Sequence, residues 1–161
     1  AGLARHSPAL DTTPEDYDAA LNLNLRAAYF LTREVARGLI TAGRPGSLIN
    51  VSSQMGLVGG PDRAVYAATK HALEGMTKAM AIEWGPQGIR VNTLCPTFIR
   101  TPLAEQTLAD PARRAWIEAK IKLGRLGELS DIGGPVVFLA SDASALMTGT
   151  HLLIDGGWTA G

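Results

Sequence analysis

Two short, mainly apolar runs limit most strongly how this chain can fold. Residues 47–52 lack the regular alternation of polar and apolar side chains that a half-solvated strand shows, and residues 89–95 form another run of the buried type, closed by Pro96. Such runs are typical of strands buried on both faces, as in a parallel sheet covered by helices. A further short strand is predicted at residues 151–155. The sequence therefore predicts a parallel sheet.

Helical segments separate the predicted strands. Thr13 precedes Pro14 and acidic residues, which is typical of a helix start, and the apolar stripe that follows includes Tyr17 and Leu31. Predicted helices cover residues 14–42, 62–84 and 130–140, the last capped by Ser130, with one or two shorter helices between 101 and 127. Helices that alternate with parallel strands imply right-handed crossovers and a doubly wound α/β sheet.

Composition excludes several classes of protein. The 161 residues are 46% hydrophobic and 19% charged, which suits one globular domain. The 15 basic and 15 acidic residues form no like-charge block, so no nucleic-acid partner is expected. Cys95 is the single cysteine, so no intrachain disulfide and no thiol-based metal site are predicted. Neither a signal peptide nor a membrane-length apolar segment is recognised, so we expect a cytoplasmic protein without a bound metal or a membrane partner.

Polar side chains are predicted to meet at one edge of the sheet. Tyr66 and Lys70 are four residues apart on a helical segment and share a face. Ser53 follows a buried strand, and the ligand crevice of an open parallel sheet lies outside the carboxyl ends of its strands. We therefore expect these residues around one crevice. Asn24 falls on the apolar stripe of the first helix, where a buried amide needs hydrogen-bond partners.

These groups suit proton transfer at a carbonyl or an alcohol. A carbonyl that is reduced needs a proton donor at its oxygen, and an alcohol that is oxidised needs a base. The ordinary pKa of a tyrosine is about 10, and an ammonium within about 6 Å, helped by a positive nicotinamide ring, would favour the phenolate of Tyr66. Ser53 can hydrogen-bond the substrate oxygen and stabilise its developing charge.

Other interpretations stay open at this point. A tyrosine and a lysine four residues apart are often only neighbours on a helix surface, and Ser53 can be a turn residue. Asn24 can make a structural hydrogen bond. A hydrolase would pair Ser53 with His71 or His151, although the sequence lacks the G-x-S-x-G pattern. A non-catalytic module that binds nucleotide or only oligomerises is the remaining alternative.

Several segments together resemble the short-chain dehydrogenase/reductase family, and the resemblance covers the whole chain. The thirteen-residue step from Ser53 to Tyr66, followed by four residues to Lys70, is the family's usual spacing. The matching segments are Asn24-Leu25, Ile49-Asn50-Val51-Ser52-Ser53, Tyr66-Ala67-Ala68-Thr69-Lys70, Ile89-Arg90-Val91-Asn92 and Asp155-Gly156-Gly157. The resemblance implies a Rossmann-like fold and an oxidoreductase that transfers a hydride between NAD or NADP and a secondary alcohol or carbonyl.

The family pattern also implies a role for each matching residue. Tyr66 is implied as the acid/base, Ser53 as the group that orients the substrate, and Lys70 as the group that lowers the pKa of Tyr66 and holds the ribose of the nicotinamide. Asn24 is implied to interrupt its helix so that a backbone carbonyl holds a water. Cofactor contacts are implied for Ala1, Gly2, Tyr66, Lys70, Pro96, Thr97, Ile99 and Thr101, and substrate contacts for Ser53, Gln54 and Tyr66. Thr97 stands where the family commonly has glycine, so the backbone there is less permissive.

The resemblance is strongest to bacterial sugar or polyol dehydrogenases and to 3-oxoacyl reductases. It implies a small sugar- or polyol-like substrate, with a 3-oxoacyl thioester as the alternative, and a homodimer or homotetramer. Residues 98–125 are expected either to cover the pocket as a lid or to form only a variable surface loop. Because no strand precedes Ala1 and no glycine-rich turn joins a strand to a helix, we interpret residues 1–161 as the catalytic second half of a doubly wound domain, the first cofactor-binding half being absent from the chain.

Overall fold

Three parallel strands form the sheet around which the chain is built. The structure is a computed structural model that describes residues 2–161, except for the side chains of Leu103 and Gln106. The strands are β1 (Gly46–Val51), β2 (Ile89–Pro96) and β3 (His151–Ile154), in the spatial order β1-β2-β3. Gly46 pairs with Ile89, and Thr93 pairs with His151. The predicted parallel sheet is confirmed.

The helices occupy the segments between the strands. One continuous helix begins with α1 (Pro14–Leu21), passes through a π-helical segment (Asn22–Ala27) and ends with α2 (Ala28–Thr41). The connection from β1 to β2 contains α3 (Ala64–Trp84), and the connection from β2 to β3 contains α4 (Pro102–Leu108), α5 (Pro111–Lys120) and α6 (Leu129–Ala140). Thr13 caps α1 as predicted, because its hydroxyl accepts a hydrogen bond from the Asp16 backbone N–H at 3.2 Å.

Helices cover both faces of the sheet. Side chains along a strand alternate between faces, so residues 47 and 50 of β1 point in opposite directions. Ser47 Oγ donates to the Leu139 carbonyl of α6 at 2.7 Å, whereas Asn50 Oδ1 accepts from Thr32 Oγ1 of α2 at 3.0 Å. The protein is therefore an α/β protein whose parallel sheet is sandwiched between helices, in agreement with the predicted fold class. That the chain is the second half of a larger domain stays a prediction.

Two local predictions for the helices are wrong. Tyr17 and Leu31 were expected on the buried stripe of the first helix, but they are 46% and 68% exposed. The buried face carries the smaller residues Ala20, Asn24, Thr32 and Ala36 instead, because small side chains allow the helix to approach the sheet closely. Helix α6 is capped by Glu128 in a capping box with Asp131, and not by Ser130.

The apolar core consists of two clusters, of which the second lies beside the candidate site. The first joins α2, α3 and β2 through Ala36, Met80, Ala81, Ile89 and Val91. The second contains Met55, Ile117, Ile121, Leu126 and Trp158, and Tyr66 packs against it. Helix α5 therefore packs on the region beyond the carboxyl ends of β1 and β2, and the lid role of residues 98–125 stays a prediction. Among residues 2–161, no helix is both long and apolar enough to cross a membrane.

Candidate active site

Ser53 lies just past the carboxyl end of β1, where the strand turns toward α3. Its Oγ accepts a hydrogen bond from the Met55 N–H at 3.1 Å, and this bond caps a short 3₁₀ turn (Gln54–Gly56). Ser53 is 8% exposed and Gln54 is 1% exposed. The turn thus fixes the serine hydroxyl at the strand end, and it buries the Gln54 side chain that was expected to contact substrate.

Tyr66 and Lys70 lie on the first turns of α3 and face the end of β1. Lys70 Nζ donates a hydrogen bond to the Val51 carbonyl at 3.0 Å and lies 5.6 Å from the centre of the Tyr66 ring. The backbone carbonyl of the last β1 residue therefore holds the ammonium next to the phenol. An ammonium has three N–H donors, so this bond leaves two for another partner. The structure brings Ser53, Tyr66 and Lys70 to one place, as the spacing predicts.

Burial acts on both titratable groups of this site. It raises the pKa of Tyr66 above its ordinary value, while the side chains of Ser53 and Arg63 act in the opposite direction. It lowers the pKa of Lys70, an effect that the negative charge of Glu74 opposes. The expected lowering of the Tyr66 pKa is therefore not found in the chain alone, because the cost of burying a phenolate outweighs the nearby positive charges.

Asn24 lies in the π-helical segment, so the helix does leave α-helical geometry where an interruption was expected. Its Nδ2 donates to the Leu3 carbonyl at 2.8 Å and to Thr69 Oγ1 at 3.3 Å, and its Oδ1 accepts from the Leu3 N–H at 2.8 Å. Thr69 Oγ1 in turn donates to the Tyr66 carbonyl at 2.7 Å. Asn24 thus links the start of the described chain to the helix that carries Tyr66.

The segment that follows β2 contains the other expected cofactor contacts. The Thr97 N–H donates to the Ile154 carbonyl at 3.0 Å, whereas Thr97 Oγ1 is buried without a partner among the described residues. Ile99 forms a parallel bridge with Gly127, and Thr101 Oγ1 accepts from the Ala104 N–H at 3.4 Å as the cap of α4. Pro96 ends β2.

Thr97 and Ile99 line a cavity of about 150 Å³ together with Ile121, Leu123, Arg125, Gly127, Asp131, Ile154 and Gly156. At the opposite end of the chain, Gly2 lies beside Asn24, because a Cβ built on it would be 3.9 Å from Asn24 Oδ1. Ala1, the remaining predicted cofactor contact, lies outside the described residues.

Sequence reasoning missed two polar groups next to this site. Glu74 is 7% exposed and accepts hydrogen bonds from Thr93 Oγ1 at 2.8 Å and from Cys95 Sγ at 3.3 Å. Burial raises the pKa of the Cys95 thiol to about 11, which keeps its proton available for this bond. Arg63 is 8% exposed and contacts His6, 57 residues away, at 2.9 Å. Glu74 follows Lys70 by four residues and Arg63 precedes Tyr66 by three, so helical spacing was the available signal.

The hydrolase interpretation has no support in this geometry. His71 is exposed, and its Nδ1 lies 2.9 Å from the Ala67 carbonyl of the preceding turn. His151 begins β3 and is exposed. Within residues 2–161, neither imidazole hydrogen-bonds Ser53, whose Oγ is engaged with Met55. A serine nucleophile needs a base within hydrogen-bond distance.

Comparison with known proteins identifies a matching protein family and a similar curated protein. The family described as Enoyl-(Acyl carrier protein) reductase matches residues 1–159. L-xylulose reductase of Bos taurus is 41% identical over 160 residues, which are 99% of this chain and 66% of that protein. The chain thus spans just under two thirds of the length of this curated relative.

Solved structures of similar proteins superpose closely on this chain. A gluconate 5-dehydrogenase from Burkholderia cenocepacia J2315, in complex with NADP and tartrate, has a TM-score of 0.96 and 35% identity, and the match covers 100% of this chain and 63% of that one. A 4-hydroxyisoleucine dehydrogenase complexed with NADH has a TM-score of 0.95 and 39% identity, and the match covers 100% of this chain and 66% of that one.

Proposed function

This chain belongs to the short-chain dehydrogenase/reductase family, and from that premise we propose that it carries the acid/base residues of a nicotinamide-dependent oxidoreductase. The reaction is the interconversion of a secondary alcohol and a carbonyl on a small, polar, sugar-like substrate. The observation that carries the proposal is the position of Lys70 Nζ, 5.6 Å from the centre of the Tyr66 ring and bonded to the end of β1. The relatives named for xylulose and gluconate support the substrate class.

In the direction of reduction, Tyr66 donates a proton to the carbonyl oxygen. Because burial holds its pKa above the ordinary value, the phenol is protonated at neutral pH and ready to act as the acid. Ser53 donates a hydrogen bond to the same oxygen and stabilises the charge that develops there. In the direction of oxidation Tyr66 accepts the proton, and the Lys70 ammonium stabilises the phenolate.

The residues present fit a nicotinamide nucleotide. Lys70 keeps two N–H donors for ribose hydroxyls after its bond to Val51, and Thr97 Oγ1 is a buried hydroxyl that still lacks a partner among the described residues. When bound, the nicotinamide supplies or accepts the hydride. Thr101 caps α4, so its hydroxyl reaches a cofactor only if it shares that bond. Relatives are known with NADP and with NADH, and we propose NAD or NADP without a preference.

A second candidate function is the reduction of a 3-oxoacyl thioester. The description of the matched family names an acyl carrier protein, which favours a thioester substrate. Both candidates use Tyr66 in the same way, so only the substrate discriminates them. The dimeric or tetrameric state and the cytoplasmic location stay predictions.

Substitution of Tyr66 tests the proposed chemistry. In the native protein that contains this chain, we expect Tyr66→Phe to lower kcat for alcohol oxidation by about 10²-fold or more, since a positioned acid/base contributes about 10²- to 10⁴-fold. Ser53→Ala should leave weak activity. Reduction of NAD or NADP in the presence of polyols, sugar acids and 3-hydroxyacyl thioesters is followed spectroscopically.

Tyr17→Phe is the matched control, because Tyr17 is 46% exposed on α1 and carries no assigned role. It should retain the native rate. Equal rates for the native protein and Tyr66→Phe would refute the proposed mechanism.

A further inference from the structure

A buried guanidinium lies at the edge of the candidate active site. Arg63 is the residue just before α3, one helical turn from Tyr66, and it is 8% exposed. Among the described residues, only His6 accepts a hydrogen bond from it, at 2.9 Å between Nη1 and Nε2. A guanidinium has five N–H donors, and a buried charge is costly unless it is paired. The other Arg63 N–H groups have no acceptor among the described residues, and their nitrogens keep some contact with solvent, so an incoming acceptor can reach them.

The charges around Arg63 do not balance. Asp62 Oδ2 is bound to Arg113 Nη2 at 2.7 Å, and within residues 2–161 no carboxylate lies within 4.0 Å of the Arg63 guanidinium. Asp62 is thus paired with Arg113, and Arg63 has no ion-pair partner among these residues. Burial, together with the charges of Arg63 and Arg113, lowers the pKa of His6 to about 4, so its imidazole is neutral and adds no charge. The region carries an excess positive charge.

His6 holds the guanidinium in place by accepting one of its hydrogen bonds. Because Arg63 can only donate, His6 Nε2 accepts in their contact, and this hydrogen bond assigns the imidazole proton to Nδ1. Nδ1 is buried and has no hydrogen-bond partner among the described residues. A buried N–H of this kind costs free energy until an acceptor reaches it. The Nδ1–H points away from Arg63 on the imidazole ring, so the donors available to an acceptor beside Arg63 are those of the guanidinium itself.

The pair is close to the reacting groups. The His6 ring centre lies 6.5 Å from that of Tyr66, and the Arg63 guanidinium carbon lies 5.2 Å from the centre of the Phe98 ring. Phe98 belongs to the segment that follows β2, and its ring packs against Trp158 at 5.7 Å. A substrate that reaches Tyr66 therefore also comes within range of Arg63.

We propose that Arg63, held in place by His6, binds the carboxylate of an acidic substrate, a hydroxy or oxo acid, while Tyr66 acts on a secondary alcohol or carbonyl elsewhere in that molecule. This inference rests on the proposed function and specifies its substrate class. A planar guanidinium matches a carboxylate through paired N–H···O bonds, and the acid restores the charge balance. Arg113 of α5 forms an ion pair with Asp62, the residue before Arg63, and because the two side chains are 31% and 36% exposed this ion pair opens at little cost.

A pair of matched substrates tests this assignment. D-gluconate and sorbitol are both six-carbon molecules. Sorbitol has a hydroxyl group on every carbon, whereas gluconate has a carboxylate in place of one of them. In the native protein with saturating cofactor, we expect Arg63→Met to lower kcat/KM for gluconate by about 10- to 100-fold, the equivalent of one hydrogen bond to a charged group. The value for sorbitol should fall by less, because it reflects only the loss of a positive charge that lowers the Tyr66 pKa, and that loss affects both substrates alike. Arg63→Lys keeps the charge and should fall between the native protein and Arg63→Met.

Direct binding gives a second readout that does not need turnover. Trp158 lies in contact with Phe98, so we expect gluconate to change the tryptophan fluorescence of the native protein. The dissociation constant should rise by about tenfold or more in Arg63→Met. Arg37→Met is the control, because the Arg37 side chain is 62% exposed on α2 and pairs only with Glu34 among the described residues. It should bind gluconate like the native protein.

The outcomes separate this inference from the proposed function. Equal losses for gluconate and sorbitol, unchanged binding in Arg63→Met, or no gluconate binding to the native protein would each overturn the carboxylate site. If Tyr66→Phe still abolishes sorbitol oxidation in that case, the proposed function stands alone. If Tyr66→Phe retains full activity while gluconate binding still depends on Arg63, the carboxylate site stands and the proposed function fails.

Discussion

Substitution of Asn24 by alanine should loosen the start of the described chain from the helix that carries Tyr66. Asn24 is 3% exposed, and its amide makes hydrogen bonds of 2.8 Å to the N–H and to the carbonyl of Leu3, and one of 3.3 Å to Thr69. Each such bond contributes about 0.5–1.5 kcal/mol net, and the long one belongs at the lower end. We therefore expect Asn24→Ala to lower the free energy of unfolding by about 2–3 kcal/mol.

Urea unfolding followed by tryptophan fluorescence measures this loss. Asn22→Ala is the matched control, because Asn22 is exposed in the same π-helical segment and gains the same helix propensity from alanine. It should change the free energy of unfolding by no more than about 0.5 kcal/mol. Hydrogen exchange adds a local readout, since the Leu3 amide loses its acceptor and should exchange faster only in Asn24→Ala.

The result that would refute this reasoning is equal stability of Asn24→Ala and Asn22→Ala. In that case the paired bonds between Asn24 and Leu3 would contribute nothing that water does not replace. Asn24 would then not hold residues 2–3 against the π-helical segment, and the buried position of its amide would need another explanation.

Two further predictions concern the packing behind Ser53 and the response to acid. A Cβ at Gly56 would lie 2.8 Å from Ser52 Oγ, whereas a Cβ at Gly59 would meet no atom within 4 Å. In urea unfolding, Gly56→Ala should therefore lower the free energy of unfolding by about 1–3 kcal/mol and Gly59→Ala by less than about 0.5 kcal/mol. Equal losses for the two variants would refute the clash. Burial and nearby arginines hold the pKa of His6 at about 4 in the folded chain. As the pH falls, His6 therefore becomes protonated in the unfolded chain before it does so in the folded chain. The contribution of His6 to the free energy of unfolding is complete above about pH 6.5 and is lost as the pH falls toward about 4. In urea unfolding at successive pH values, His6→Asn should therefore lose less stability between these two pH values than the native protein does. An equal loss of stability in both proteins would contradict this prediction.

The features predictable from the sequence were those that depend on neighbours along the chain. The parallel strands, the cap at Thr13 and the shared helix face of Tyr66 and Lys70 all follow from short spacings, although only β2 is buried as predicted and β1 is half-buried. Ser53 could be placed beside them because the carboxyl ends of parallel strands meet at one edge of the sheet. Most of the geometry of the candidate site is therefore encoded in residues 47–70.

Contacts between distant segments were not predictable in the same way. Hydrophobic spacing placed Tyr17 and Leu31 on the buried face of the first helix, but which apolar side chains are buried depends on what the helix packs against. Small residues occupy the buried face because β1 lies close to α2. The contact between His6 and Arg63 spans 57 residues, and no pattern in either segment indicates it.

The direction of the Tyr66 pKa depended on a balance that spacing alone does not determine. Sequence reasoning counted the positive charge of Lys70, but it could not weigh the burial that raises the pKa of Tyr66 and lowers that of Lys70. Burial disfavours the charged form of each group, so it works against the pair of Tyr66 phenolate and Lys70 ammonium that oxidation of an alcohol requires. The Val51 carbonyl and the negative charge of Glu74 oppose this effect at Lys70, because both favour the ammonium. The chain by itself therefore favours the protonated phenol, the form suited to reduction, and formation of the phenolate needs the additional positive charge that an oxidised nicotinamide would bring.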